Sequence, residues 1–353
     1  MITSPKKLAI VLFNLGGPLG PPDVQPFLFN LFNDPAIIRA PFFVRWPLAQ
    51  LISRTRAPKA QKAYDVMGGG SPLLANTQAQ AEALEKELAD VGVVKCFIAM
   101  RYWHPLTHET VTEVRDFSPD QIMLLPLYPQ FSTTTTGSSL KLWQREAKKQ
   151  HVNVPTQTLC CYPTAAGFID AQVTAIRAAY DAAQQHGAPR ILFSAHGLPE
   201  MVVKDGDPYQ YQCEATTRAL VDKLNIAGLD YVNCYQSRVG PLTWIGPDTE
   251  AEVHRAAAEK KPIIMVPIAF VSEHVETLVE LDHEYGALAR THGCPHYARV
   301  PTASVAGQFI SGLAQTVRDR LQQPCPLGPE ASWGGCGPWR RCPRAEACQP
   351  LAA

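Results

Sequence analysis

The segment from Pro262 to Tyr285 joins an apolar run directly to ionisable side chains. Ile263–Val266 is continuously apolar, as in a buried strand, and Ser272 is a suitable N-cap for a following helix. His274 and Glu276 then fall in the first turn of that helix. Imidazole and carboxylate groups together bind divalent first-row metal ions or transfer protons near neutral pH. The segment therefore predicts a metal or acid–base site.

Four carboxylates of this helix, spaced three, four and four residues apart, are predicted to share one face: Glu273, Glu276, Glu280 and Glu284. A solvent-exposed face explains them, because exposed like-charged neighbours cost only a few tenths of a kcal/mol. This is the usual explanation of such a pattern. Their position directly after a strand end instead favours ionisable groups directed at a cleft.

His196 is the second candidate, since it follows the apolar run ILF in the motif SAHGLP. It should emerge at a strand end beside Gly197, as a base or a metal ligand. The chain contains no HExxH, GxSxG or Walker motif, and NLGGP lacks the GxGxxG spacing, so a dinucleotide site is weakly supported.

Four of the ten cysteines crowd the end of the chain, with ten, five and five residues between them: Cys325, Cys336, Cys342 and Cys348. A disulfide framework is not expected, because a cytoplasmic compartment keeps thiols reduced. Four thiolates suit zinc or an iron–sulfur cluster, although these intervals fit neither paired CxxC zinc ribbons nor common ferredoxin motifs.

Composition indicates a soluble protein of one or two domains that acts on a small molecule. The 353 residues are 46% hydrophobic, and 32 basic residues balance 32 acidic ones, so nucleic acid is not an expected partner. The apolar runs are far shorter than the roughly 20 residues of a membrane span. The N-terminal segment lacks a cleavage site and is interpreted as the first strand of a cytoplasmic protein.

Strand-like and helical runs alternate along the chain, which predicts an α/β fold with parallel sheets flanked by helices. The two halves also echo each other: IVLFNLGGP resembles ILFSAHGLP, and IMLLPLYPQFSTTTTGS resembles IIMVPIAFVSEHVET. We therefore predict two similar lobes, at 1–150 and 151–322, followed by a cysteine-rich extension at 323–353.

The first lobe carries an insertion between its first two strands. Phe13 and Arg101 are 88 positions apart, whereas Phe193 and Arg238 are only 45 apart, a difference of about 43 residues. The extra segment, about 20–70, is rich in Phe, Leu, Ile and Trp, and its prolines predict short helical pieces. An apolar excursion of this kind is either an interface or a lip over a large flat ligand.

Ligands of open parallel sheets bind at the carboxyl ends of the strands, and two facing lobes would form a cleft there. The polar strand-end candidates are Asn14 with Gly16 and Gly17, Arg101 with Tyr102 and His104, the 132–139 loop, Ser194 with His196, 236–238, and the pair His274 and Glu276.

Six motifs resemble the ferrochelatase family: SAHGLP, GDPYQYQ, QSRVGPLTWIGP, VPIAFVSEHVETLVELD, AMRYWHP and FSTTTTGSS. The resemblance covers roughly residues 7–320. It is specific because so many motifs occur in the family's order along nearly the full length of the chain. It implies a chelatase fold of two Rossmann-like lobes. It also implies an enzyme that inserts ferrous iron into protoporphyrin IX, the last step of haem synthesis.

The resemblance assigns roles to individual residues. His196 and Glu276 match the family's iron site, and His274, Glu276 and Glu280 match a polar chain that carries protons or metal. The positions that match porphyrin-binding residues are Leu15, Arg56, Tyr64, Ser71, Arg101 and Tyr102. The apolar insertion resembles the family's active-site lip, which implies a peripheral membrane contact.

The cysteine tail resembles the extension that holds a 2Fe-2S cluster in many ferrochelatases, with Cys325, Cys336, Cys342 and Cys348 as expected ligands. The spacing departs from the animal pattern, in which one ligand comes from mid-chain, so Cys160 or Cys161 is the substitute for one of them.

Several alternatives stay open at this stage. A related enzyme acts on coproporphyrin or inserts cobalt or nickel, although Glu276 and the lip argue against a cobalt chelatase. A haem-binding carrier is a non-enzymatic alternative. The protein is expected in the cytoplasm, free or membrane-associated, as a monomer or homodimer.

Overall fold

The computed structural model describes residues 7–238, 240 and 242–322. Within these residues eight strands form, in chain order β1 Lys7–Asn14, β2 Val93–Met100, β3 Gln121–Pro126, β4 Thr156–Thr158, β5 Arg190–His196, β6 Asp230–Gln236, β7 Ile263–Pro267 and β8 Tyr297–Arg299. The α-helices are α1 Val24–Phe32, α2 Phe42–Val66, α3 Leu73–Glu87, α4 Thr107–Phe117, α5 Thr136–Lys149, α6 Ala166–Ala183, α7 Glu200–Lys204, α8 Tyr209–Leu224, α9 Thr249–Ala258, α10 Tyr285–Thr291 and α11 Gly307–Gln322. A π-helix spans Glu276–Glu284, and 3₁₀ turns form at Pro21–Asp23 and Gln184–His186.

The strands form two parallel sheets of four with the same order, β2-β1-β3-β4 and β6-β5-β7-β8. Within each sheet the first strand of the sequence lies centrally, between the second and the third. Helices cover both faces of a parallel sheet, so its strands are buried throughout; β1 and β5 are accordingly almost entirely buried. The matching orders confirm the predicted α/β fold with two similar lobes.

The chain divides into two compact units. Among the described residues, the first contains 7–128, 132–160 and 314–322, and the second contains 129–131 and 161–313. The division lies after residue 160, ten positions beyond the predicted limit at 150, because β4 pairs with β3 and so completes the first sheet. The short strand TQT carries little apolar signal, so the sequence did not reveal it.

The insertion of the first unit contains a 3₁₀ turn, α1 and α2. The expectation of short helical pieces was wrong for most of it, because α2 continues for 25 residues with Pro47 and Pro58 inside the helix. Proline removes one backbone bond and kinks a helix, but neighbouring contacts can maintain it. Here α2 packs along α1, with the Phe29 and Trp46 rings 6.1 Å apart.

The helix after β7 begins later than Ser272. Thr277 accepts a bond from the His274 backbone amide through Oγ1 and returns its hydroxyl to the His274 carbonyl, so the first turn forms around His274. From Glu276 the backbone is a π-helix. Each turn then takes more residues than an α-turn, so residues four apart align more closely.

No helix among the described residues is both long and apolar enough to cross a bilayer. The predicted extension 323–353, with its four cysteines, lies outside the described residues.

Candidate active site

His196 is the last residue of β5, and the loop after it sets the state of its ring. Its Nδ1 lies 2.6 Å from the Gly197 carbonyl oxygen, which can only accept a hydrogen bond. Nδ1 therefore carries the proton, and in the neutral ring Nε2 has the free lone pair. Gly197 has no space for a side chain, because a Cβ would lie 2.8 Å from the Gln236 carbonyl. The backbone thus orients a nitrogen base at the strand end.

Glu276 lies between two histidines. One carboxylate oxygen is 3.5 Å from Nε2 of His196, and the other is 3.3 Å from Nε2 of His274. Burial raises the pKa of Glu276, but the His196 charge and the bond and charge of His274 outweigh it and lower the pKa to about 2. Glu276 is therefore ionised at neutral pH. It faces Nε2 of His196, which has a lone pair when the ring is neutral and a proton when the ring is charged. Two facing acceptors attract a proton or a cation into the space between them.

His274 is the buried member of this group, with its side chain 9% exposed against 39% for His196. Its ring lies edge-on to Phe270, with centroids 4.6 Å apart. Its Nδ1 has no hydrogen-bond partner among the described residues. His274 therefore supports Glu276 from the protein side, whereas His196 is the member that solvent or a ligand can reach.

Glu280 follows Glu276 by four residues on the π-helix. Its carboxylate accepts bonds from the Ser237 amide at 2.9 Å, the Ser237 hydroxyl, the Gln236 side chain at 3.1 Å and the Tyr285 hydroxyl at 3.2 Å. Burial raises the pKa of Glu280, the Ser237 bond opposes this, and the Glu276 charge raises it further. Two adjacent carboxylates thus differ in proton affinity, which is the usual arrangement of an acid–base pair.

The predicted stripe of four carboxylates was wrong at its first member. Glu273 precedes the helix and forms an ion pair with Arg299 at 3.0 Å, and its carboxylate accepts the Thr302 amide. This pair anchors the loop to β8. Glu284 is exposed, so the stripe runs outward from Glu276 through Glu280 to solvent.

In the first unit, the ends of β1 and β2 bring three predicted residues together. The Arg101 amide donates to the Asn14 carbonyl at 2.9 Å, and the Tyr102 amide donates to the Leu15 carbonyl at 3.0 Å. Leu15 is half-buried, and Arg101 keeps 16% of its side chain exposed. Leu15 and Arg101 can therefore contact a ligand at this edge.

Tyr102 is fully buried and has no exposed surface for a ligand. Its hydroxyl donates to Asp34 at 2.8 Å, and the same Asp34 oxygen accepts from Arg101 at 2.7 Å and Ser138 at 2.6 Å. The assignment of Tyr102 to the porphyrin site stays a prediction, and in the structure its hydroxyl helps to hold Asp34. Asp34 itself lies in the turn between α1 and α2, and no sequence motif indicated its role.

The other three predicted porphyrin residues lie on or beside α2. Arg56 is exposed, with its guanidinium 5.4 Å from the centre of the Phe32 ring. Tyr64 is buried, and the half-buried Ser71 packs against Gly17, where an added Cβ would lie 2.6 Å from its own. Ser71 thus lies against the loop that follows β1. Arg56 instead lies on the surface beside Phe32, and Tyr64 is buried.

The N-terminal half of α2 is an exposed apolar surface. Its large exposed side chains include Phe42 at 63%, Phe43 at 77%, Trp46 at 44% and Leu51 at 61%. Exposure on this scale agrees with an interface or a lip and does not agree with a core.

Cys160 and Cys161 are buried, and Cys161 accepts a weak bond from Gln212. No group of three or more His, Cys, Asp or Glu side chains within the described ranges is arranged to hold a metal ion. The described residues alone therefore supply no cluster site.

Comparisons with known proteins identify the family of this chain. The family model described as Ferrochelatase matches residues 7–321. The ferrochelatase of Caulobacter vibrioides is 55% identical over 97% of this chain and 98% of its own length, and that of Phenylobacterium zucineum is 54% identical over 94% and 97%. The sirohydrochlorin chelatase of Bacillus subtilis subspecies spizizenii, solved with cobalt, is 11% identical and matches the fold over 90% of this chain and 97% of its own, with a TM-score of 0.53. The chain therefore belongs to the ferrochelatase family.

Proposed function

We propose that this protein inserts ferrous iron into protoporphyrin IX and releases two protons. The observation that carries the proposal is the array of His196, Glu276 and His274, in which a nitrogen base and an ionised carboxylate face each other at 3.5 Å. A free porphyrin is neutral at its core and holds two N–H protons, so a divalent ion can replace them only if a base accepts them.

His196 is the proton acceptor in this proposal. Its Nδ1 is committed to the Gly197 carbonyl, so a pyrrole proton can be received only at Nε2. Once protonated, Nε2 lies beside the Glu276 carboxylate, which stabilises the imidazolium. The proton then leaves past the ionised Glu276 to Glu280 or to solvent along the π-helix, and the regenerated His196 accepts the second pyrrole proton in the same way.

Glu276 has a second role in balancing charge. Ferrous iron entering the site carries two positive charges, and a carboxylate with a pKa near 2 stays ionised as the substrate ion approaches. Oxygen and imidazole nitrogen are suitable ligands for first-row divalent ions, so His196 and Glu276 can hold the substrate iron briefly.

The macrocycle is assigned to the strand-end edge of the first unit and the apolar lip. Leu15 and the exposed aromatic residues of α2 supply apolar contacts. Arg56 and Arg101 supply positive charge for the propionates, and Ser71 supplies a hydroxyl. Arg101 is held by Asp34 and Ser138, so it offers a cation in a fixed direction.

Two other functions make different predictions. A coproporphyrin ferrochelatase would prefer a substrate with four carboxylates, which competition between the two porphyrins measures directly. A haem carrier would bind without turnover. The line of carboxylates favours an enzyme, because a carrier needs axial ligands and no route for protons.

A 2Fe-2S cluster on the tail is proposed as a resident cofactor. The donor set of Cys325, Cys336, Cys342 and Cys348 has the right chemistry. The Caulobacter vibrioides relative aligns over 97% of this chain, so the alignment extends past residue 322 into this segment. Visible absorption and the iron-to-sulfide ratio of purified protein test the proposal, and zinc alone would reject it. We assign the cluster no step in the reaction.

We further propose a cytoplasmic location with peripheral membrane contact through the lip. Phe42 and Phe43 are exposed at the start of α2, and basic residues follow further along the same helix at Arg54, Arg56, Lys59 and Lys62. Co-sedimentation with anionic vesicles should weaken when Phe43→Ser removes the most exposed ring. Unchanged binding would reject this contact.

The decisive experiment is anaerobic mixing with protoporphyrin IX and ferrous iron while absorbance is followed. Continued loss of the free-base bands over many equivalents supports the enzyme. A shift that stops at one equivalent supports the carrier, and turnover with cobalt or nickel alone supports a different chelatase.

A further inference from the structure

Ser237, the first residue after β6, has a backbone φ of +61°. This left-handed conformation is uncommon for residues other than glycine, and it costs free energy because Cβ crowds the backbone. Such a residue persists when surrounding contacts hold it. The contacts that Ser237 makes with its neighbours must therefore stabilise this backbone conformation.

Both hydrogen-bond donors of Ser237 point at one carboxylate. The amide donates to Oε1 of Glu280 at 2.9 Å, and the hydroxyl donates to Oε2. The strained backbone thus presents two donors to the two oxygens of a single side chain. Hydrogen bonds to a carboxylate are stronger than those between neutral groups, so these two bonds offset the backbone strain.

Gln236 holds the same carboxylate from the neighbouring position. Its Nε2 donates to Oε2 of Glu280 at 3.1 Å and to the Glu276 carbonyl at 3.3 Å. The amide cannot be reversed, because its oxygen would then face the Glu276 carbonyl and the Glu280 carboxylate, which are both acceptors. In the present orientation Oε1 accepts from Ser194 at 2.9 Å. Gln236 also pairs with His196 in the register of β5 and β6. The residues that hold Glu280 therefore lie on the strand next to His196.

We propose that Ser237 is a positioning residue for iron insertion, which holds Glu280 in a fixed orientation one step along the π-helix from Glu276. The proposal rests on the function proposed above. Insertion brings in a divalent ion and releases two protons, so a second oriented carboxylate near Glu276 lowers the barrier without having to reorganise. Ser237 acts only through Glu280 and contacts neither porphyrin nor iron.

Two substitutions separate positioning from a simple structural role. Ser237→Ala removes the hydroxyl and keeps the strain, whereas Ser237→Gly removes the hydroxyl and relieves the strain. We expect both to lower kcat about tenfold, as for one lost bond to a charged group, with an unchanged KM for porphyrin. We also expect the glycine variant to melt at a higher temperature than the alanine variant. If the glycine variant recovers both the melting temperature and the kcat of the wild type, the proposal is overturned.

Ser118 provides a matched control, since it is also a serine at positive φ, of 52°, whose hydroxyl bonds a local carbonyl at the end of α4. Ser118→Ala and Ser118→Gly should leave kcat unchanged. In a Glu280→Gln background, Ser237→Ala should cost much less than tenfold, because the carboxylate it holds is gone. If the two substitutions instead lower kcat by independent factors that multiply, the proposal is rejected. Wild-type turnover is measured first, so a failure of the proposed function itself is seen separately.

Discussion

Nε2 of His196 lies 3.5 Å from Oε1 of Glu276, although the two residues come from the end of β5 and the first turn of the π-helix. The Gly197 carbonyl fixes the proton of His196 on the other nitrogen. A free lone pair therefore faces a carboxylate whose pKa is about 2. This arrangement has room for a proton or a cation, and the proposed chemistry depends on it.

Replacing His196 with alanine removes the base whose tautomer the Gly197 carbonyl fixes beside Glu276. We expect the anaerobic insertion rate to fall by about 10²- to 10⁴-fold, the usual contribution of a positioned base. The melting temperature should change little, because the side chain is 39% exposed. His254→Ala is the control, since His254 is half exposed on α9 and should retain full activity. A His196→Ala variant with near-normal turnover would contradict the assigned role.

Replacing Glu276 with glutamine should change how stability depends on pH. The folded pKa of about 2 lies below the ordinary value of 4.5, so the ionised group stabilises the fold above pH 4.5. That stabilisation is lost as pH falls from about 4.5 towards 2. The unfolding free energies of wild type and Glu276→Gln, from urea titrations, should therefore converge over this range by at most about 3 kcal/mol. A difference that does not vary with pH would show that the histidines do not hold the charge.

The strand-end positions of this site could be predicted from sequence. Apolar runs such as ILF and IIMV identify buried strands, and parallel strands bring their carboxyl ends to one edge. His196, Gln236 and Ser237 were therefore expected near one another. The likeness of the two lobes was equally visible, because their sequences repeat similar motifs in the same order.

Other features could not be predicted, because they depend on tertiary contacts. The π-helix requires a particular set of backbone bonds, and the same residues fit an α-helical pattern. Glu273 shares that pattern with Glu276, but Arg299 from a distant strand removes it from the stripe. Asp34 lies in an ordinary turn, and its function appears only when Arg101, Tyr102 and Ser138 meet it.

The contact between α6 and α11 depends on two glycines. A Cβ on Gly167 would lie 2.3 Å from the Gln308 carbonyl and 2.7 Å from Cα of Gly312. Gly167→Ala should therefore destabilise the protein by about 1–3 kcal/mol or more, as overpacking does. Gly307→Ala is the matched control, because nothing lies within 4 Å of its added Cβ. Chemical denaturation measures both, and equal stabilities would mean that the helices separate at no cost.

Asp34→Asn tests whether the buried network of the first unit sets the direction of Arg101. Only 2% of the Asp34 side chain is exposed, and one oxygen accepts three hydrogen bonds, so loss of its charge leaves Arg101 without its ion-pair partner. We expect a loss of about 3 kcal/mol in unfolding free energy. The KM for porphyrin should rise more than kcat falls, because Arg101 would turn away from the propionates while His196 and Glu276 belong to the other unit. Asp116→Asn removes an exposed partner of Arg115 and should cost less than about 0.5 kcal/mol. If Asp34→Asn lowers kcat and leaves KM unchanged, Arg101 does not bind the substrate in the ground state.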